Sequence, residues 1–195
     1  MSKKYHRFYD GLLSVQENWL NKMAKKGYRL VRTGKLLYEF EECAPGQFEY
    51  RIEFIGHKSK EDVIDYCNFL EDLGYKVFFK NINLNYSIGK LRYRPWAEKG
   101  GRIATNSTTF DRELLIVEKK NDGKEFELHT SYEDKLKYCK SLRNAWLCFF
   151  LLFAILGCVQ RSIVWGIGGL LVLIPIIAYQ SEIIKIRHNA KIREW

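Results

Sequence analysis

Residues Ala145 to Val159 read AWLCFFLLFAILGCV, and beyond Gln160-Arg161-Ser162, residues Ile163 to Tyr179 read IVWGIGGLLVLIPIIAY. These are uncharged runs of 15 and 17 residues. A hydrocarbon core of about 30 Å takes about 20 helical residues at about 1.5 Å each. Leu142, Asn144, Gln180 and Ser181 extend the runs, and Arg143 snorkels towards headgroups. A hairpin buried in a soluble core keeps one polar face, and neither run has one. The pattern predicts two transmembrane helices, about 143–160 and 162–181, with a three-residue polar tip.

Charge follows the same division. Residues 1–134 carry 23 Lys+Arg and 21 Asp+Glu, whereas residues 135–195 carry 9 and 2, so most of the net +9 flanks the apolar runs. A nucleic-acid binder would carry that excess on its folded domain, so nucleic acid is not the expected partner. Lys135, Lys137, Lys140 and Arg143 precede the first run, Lys185, Arg187, Lys191 and Arg193 follow the second, and only Arg161 lies at the tip. The positive-inside rule then predicts a cell-membrane protein with two spans, both termini cytoplasmic, and the anionic inner leaflet as its lipid partner. Ile183, Ile184, Ile186, Ile192 and Trp195 among the last cations suggest an interfacial helix, which would place all eight flanking cations at one interface. Gly157, Gly166, Gly168 and Gly169 are candidates for close helix packing in lipid, and Pro175 for a bend. Residues Met1–Phe8 turn polar at once, so no signal peptide is expected.

The expected organisation is a cytosolic α+β domain over 1–134, then a juxtamembrane helix, the hairpin and a basic tail over 135–195. Lys3 to Tyr9 alternates as a strand, and Ser14 with Glu17 forms a capping-box pattern ahead of Leu20, Met23 and Ala24. Gly27 closes that helix, 28–41 reads as one strand, and Cys43-Ala44-Pro45-Gly46 as a turn. Phe48 to Ile55 reads as its partner strand, Ser59 and Asp62 cap a second helix, and Gly74 ends it before a strand at Tyr75–Phe79. This β-α-β-β-α-β order, with Gly-Tyr at both helix ends, implies a ferredoxin-like fold. Glu113–Glu118 and Lys124–His129 read as an extra β-hairpin across Asn121-Asp122-Gly123.

Chemistry-bearing patterns are sparse. Cys43, Cys67, Cys139, Cys148 and Cys158 are odd in number without C-x-x-C spacing, and His6, His57, His129 and His188 form no helical ligand pair. No cofactor, metal site or nucleophile motif is read, and Gly100-Gly101-Arg102 reads as a loop rather than a phosphate cradle. Lys90, Arg92 and Arg94 alternate onto one side of a strand ahead of Trp96, which suits phosphate headgroups or an acidic partner; the plainer reading is a strand with one polar face.

The run Glu17-x-Trp19-Leu20-Asn21-x-Met23-Ala24-x-x-Gly27-Tyr28, then Tyr38-x-Phe40, Glu42-Cys43-x-Pro45-Gly46 and Tyr50-Arg51, resembles the N-terminal signature of a bacterial family, domain of unknown function 2812. Ser131-Tyr132-Glu133 ahead of two spans is similar to members as well. The resemblance implies a membrane protein of the Gram-positive type, often encoded beside a PadR-type repressor, and brings no activity. The functional expectation is a membrane-tethered cytosolic interaction or regulatory module, with a membrane or cytosolic protein as partner. A self-immunity protein against a membrane-active peptide and an enzyme of unrecognised type at the membrane surface are the alternatives.

Overall fold

Two glycines set the plan of the N-terminal half. Gly27 and Gly74 end their helices at φ +82° and +81°, a left-handed conformation that favours glycine, and each hands the chain directly to a strand. The computed structural model describes residues 2–9, 11–56, 58–80, 86–88, 91–93, 103–104, 113–124, 126, 128 and 132–193. It divides into two units, Met1–His129 and Thr130–Trp195. The first holds β1 (Lys3–His6), α1 (Leu13–Lys25), β2 (Tyr28–Thr33), β3 (Leu37–Glu42), β4 (Phe48–Phe54), α2 (Lys60–Asp72), β5 (Lys76–Lys80), β6 (Tyr86–Ile88), β7 (Leu91–Tyr93), β8 (Ile103–Ala104) and β9 (Leu114–Lys120). The second holds α3 (Tyr132–Gln160) and α4 (Ile163–Arg193). The class is α+β.

In one sheet β3 lies between β1 and β2 and is antiparallel to both. In another, β9 lies between β4 and β5 and is antiparallel to both. The pairs β1/β2 and β4/β5 therefore each run the same way, linked through α1 and α2, with a later strand inserted between them. A short β6-β7-β8 meander is the third sheet.

This pairing differs from the ferredoxin-like expectation. The stretch 28–41 is two strands, because the chain turns at Gly34, whose N–H donates to the Leu37 carbonyl at 2.7 Å. Phe48–Phe54 then pairs with β9 rather than with 28–41. Leu114, Leu115, Ile116 and Val117 are all buried, so β9 is covered on both faces, with Cys67 and Leu70 of α2 against Leu115 and Val117. The Asn121-Asp122-Gly123 turn forms, with Gly123 N–H donating to Asn121 Oδ1 and Lys124 N–H to Asp122 Oδ1, both at 3.0 Å. Residues 124, 126 and 128 beyond it are not in a strand; Phe126 is buried against Tyr75 instead, ring centroids 5.4 Å apart.

Helix α1 buries Leu13, Gln16, Leu20, Met23 and Ala24, a 3.6-residue stripe. Its N-terminus is not the expected box: Leu12 occupies the cap without a side-chain bond, and Ser14 lies inside the helix. The Glu17 carboxylate is used elsewhere. Strand β4 forms an edge of its sheet, and its outward backbone groups meet α1. Asn21 Nδ2 donates to the Tyr50 carbonyl at 2.9 Å, Tyr50 N–H donates to Asn21 Oδ1 at 2.9 Å, and Ile52 N–H donates to Glu17 Oε2 at 3.0 Å. Arg51 Nη1 donates to Glu17 Oε1 at 2.7 Å. Trp19 meets Tyr38 and Phe40 of β3 edge-on, centroids 5.0 and 5.7 Å away. A Cβ on Gly27 would lie 2.8 Å from the Cys43 carbonyl oxygen, and Gly46 N–H donates to the Ala24 carbonyl at 2.9 Å, so the 43–46 turn seats against the end of α1. At α2 the Ser59–Asp62 capping box forms as expected, and Cys67 and Leu70 pack with Leu115 and Val117.

In the second unit, the basic segment ahead of the first apolar run and that run itself are one continuous helix, α3, that starts at Tyr132. Arg161, at φ +48°, and Ser162 join it to α4, which runs on through Pro175. No Gly or Pro follows Pro175 up to Arg193, so the tail continues α4 rather than forming a separate interfacial helix. Both helices are long and apolar enough to cross a membrane, and only 6% and 11% of their apolar windows are buried.

Asn21→Ala removes both side-chain bonds from the β4 edge. At about 1 kcal/mol per bond, the first unit of the detergent-solubilised protein should lose about 2 kcal/mol in urea unfolding followed by tryptophan fluorescence.

Candidate functional site: a buried acid and a cationic hairpin end

Glu118 stands opposite Tyr50 on β4 and Lys76 on β5, and its side chain is 2% exposed. A carboxylate so enclosed costs several kcal/mol unless a cation and donors fill its lone pairs. Tyr50 Oη donates to Glu118 Oε2 at 2.8 Å, and Arg29 Nε and Nη2 donate to Oε1 at 3.0 and 2.9 Å. The Tyr50 hydroxyl in turn accepts Leu30 N–H at 2.8 Å. Arg29 lies over the Phe48 ring, 4.3 Å from its centroid, and reaches Glu41 at 3.5 Å. One acid thereby ties β2 of the first sheet to β4 and β9 of the second. Both of its oxygens are taken within the protein, which makes the cluster a structural node rather than a general base.

Further polar links join the same sheets. Lys80, 1% exposed, donates from Nζ to the carbonyls of Gly34, at 2.8 Å, and Lys35, and lies over the Tyr38 ring. Thr33 Oγ1 donates to the Phe79 carbonyl at 2.7 Å. Burial pushes the Tyr38, Tyr50 and Tyr66 hydroxyls up from the ordinary tyrosine value; Glu118 adds to this for Tyr50, and a hydrogen bond to Glu53 for Tyr66. Burial also raises the Cys43 thiol against the pull of Arg29, the opposite of an activated cysteine. Among the described residues no three His, Cys, Asp or Glu side chains gather as metal ligands; His57 and His129 lie outside those residues.

In the hairpin, Arg143 Nη1 donates to Gln180 Oε1 at 2.8 Å, which sets the two helices level at their charged end. Lys137, Lys185 and Arg187 are exposed, while Lys135, Lys140 and Arg143 are half-buried. Lys191 and Arg193 lie in α4, with side chains outside the description. Arg143 and Lys135 are eight residues apart on one helix, about 12 Å at 1.5 Å per residue. Lys185 and Arg193 have the same spacing. The cations therefore ascend the hairpin axis and do not share one plane, because α3 and α4 continue unbroken past the apolar stretch.

At the other end, Trp165 Nε1 donates to Gln160 Oε1 at 2.6 Å. A Cβ on Gly168 would lie 3.1 Å from the Phe153 ring; on Gly157 and Gly169 it would make ordinary contact, and on Gly166 it would meet open space. Of the 90–96 stretch, Lys90, Arg94 and Trp96 lie outside the described residues, and Arg92 sits on the central strand of the meander, opposite Ser87 and Ala104. The sequence reading did not single out Arg29 or Glu118. Its one available signal was an acid ending an all-apolar strand; a partner 89 positions away has no local trace.

Arg29→Met leaves Glu118 enclosed without its cation. The loss should be about 3 kcal/mol in urea unfolding, the low end for a broken buried pair because Arg29 keeps part of its surface in water. The three raised tyrosines give a pH dependence. Their contribution is complete below the unfolded value of about 10 and falls away as pH rises above it. Ultraviolet titration should show Tyr38, Tyr50 and Tyr66 silent near that value, ionising only as the domain unfolds.

No curated protein and no solved structure matches the chain. The family model described as a protein of unknown function, DUF2812, matches residues 13–151, from the start of α1 to the middle of α3. With more than half of its length covered by that match, the chain belongs to the DUF2812 family.

Proposed function

We propose that this protein is a membrane-anchored module whose N-terminal α+β unit binds a partner at the cytoplasmic face. The observation that carries the anchor is the exposure of many large apolar side chains along two long helices. Ile155, Val159, Ile163 and Leu170 are 61–81% exposed, and the core helix of a soluble protein would bury such residues. The uncharged stretches Asn144–Gln160 and Ile163–Ser181, 17 and 19 residues long, measure about 26 and 29 Å, close to a hydrocarbon core of about 30 Å. Arg143 and Lys140 are the cations that reach headgroups. Lys185 and Arg187 lie about 6 and 9 Å past Ser181, near the edge of a Debye length of about 8–10 Å, so they face the cytosol as much as the lipid. The charge asymmetry across the hairpin supports both termini cytoplasmic.

Full-length protein should float with liposomes and resist alkaline extraction from cell membranes; recovery in the supernatant without detergent would overturn the anchor. In a background with the native cysteines replaced, Asp122→Cys and Arg187→Cys should both be shielded from impermeant thiol reagents in intact cells. Labelling of either from outside would reverse the orientation.

A further inference from the structure

The outer face of α2 breaks two rules that stability alone would favour. Asp65, Phe69, Asp72 and Leu73 follow an i, i+4, i+7, i+8 spacing, which places them on one stripe, and all four are exposed. Phe69 and Leu73 are 47% and 53% exposed, with Ile64 at 46% one turn earlier. Glu71 and Asp72 stand in the last turn with no basic residue beside them, so their charge opposes the helix dipole. Across Lys60–Asp72 there are five acids against Lys60, a net of −4. Nothing on α2 itself compensates for these choices.

Chemistry that matches stands at the end of α4. The end of α4 exposes Ile184, 58% open, with Arg187 and His188 on the same side at i+3 and i+4, and exposed Lys185 flanks Ile184 on its other side. Ser181–Arg193 carries Lys185, Arg187, Lys191 and Arg193 against Glu182, a net of +3. Each surface combines large apolar side chains with one sign of charge, and the signs are opposite.

We infer that the acidic, apolar stripe of α2 docks the basic end of α4 from a second copy of this chain. Exchanged reciprocally, the two contacts close as a two-fold dimer with Asp65 and Asp72 facing Lys185 and Arg187, and with Phe69 and Leu73 against Ile184. This deepens the reading of the protein as an interaction module and rests on it. It names the partner as another copy; the membrane anchor can hold whether or not the contact forms.

The test is a charge exchange in full-length protein, solubilised in an uncharged detergent and measured by light scattering. Wild type should be dimeric at low salt and dissociate as salt is raised. Asp65→Lys with Asp72→Lys in one variant, and Lys185→Glu with Arg187→Glu in another, should each weaken dimerisation by about tenfold or more. An equimolar mixture of the two variants recreates opposite charges at both contacts and should restore the dimer. Unchanged thermal melts of the first unit in each variant would show that folding is intact. A monomeric wild type, a dimer indifferent to both exchanges, or a mixture that fails to recover would overturn the inference. Flotation of the same wild-type protein with liposomes reads the anchor separately.

Discussion

The first unit depends on how the outer edge of β4 finds its hydrogen bonds. An edge strand presents a row of unpaired N–H and C=O groups, and one that stays open invites pairing with other chains. Here α1 closes it with side chains rather than another strand. Asn21 takes both backbone groups of Tyr50, and Glu17 takes Ile52 N–H while holding Arg51. Because these two side chains stand one turn apart, the pitch of α1 matches the two-residue period of the strand. That registry leaves the Tyr50 ring between the sheets, with its hydroxyl joining Leu30 to Glu118. The edge and the buried acid are thus two ends of one residue's chemistry.

Local signals made much of the fold legible and distant pairings hid the rest. Ser59 with Asp62, the glycines at 27 and 74, and Pro45-Gly46 act within a few residues, and the helix ends and the turn they mark stand where the sequence put them. Glu17 had the spacing of a capping box but serves β4, 35 positions away, because an exposed cap bond is worth less than satisfying an edge amide and an arginine together. The β9 strand was visible, yet its place between β4 and β5 was not. Apolar side chains on both faces signal a central strand without naming its neighbours. The site was less legible still: the purpose of the signature residues emerged only from contacts spanning 16–89 positions.

The second unit was legible for the opposite reason. Its decisive property, length without charge, is local and additive along a helix. What sequence did not convey was continuity past the apolar stretch. Charged residues flanking a span can lie flat at the interface or carry the helix onward, and the choice turns on whether a breaker intervenes. None does between Pro175 and Arg193, so backbone hydrogen bonding continues and carries the outer cations onward along α4.

The family likeness and the surface of α2 occupy different residues, and the difference has a physical meaning. Glu17, Trp19, Asn21, Gly27, Tyr38, Phe40, Tyr50 and Arg51 all make contacts that hold two sheets and a helix together. Such residues explain why the fold exists and leave open what it binds. Asp65, Phe69, Asp72 and Leu73 lie exposed on the outer face of α2. They expose apolar area to water and set negative charge against a negative helix end, both mildly unfavourable for the isolated unit. A fold that satisfies an edge strand and a buried acid this fully has the stability to carry those mild costs on one outer helix. A cationic, partly apolar helix seated on α2 would turn both costs into contacts.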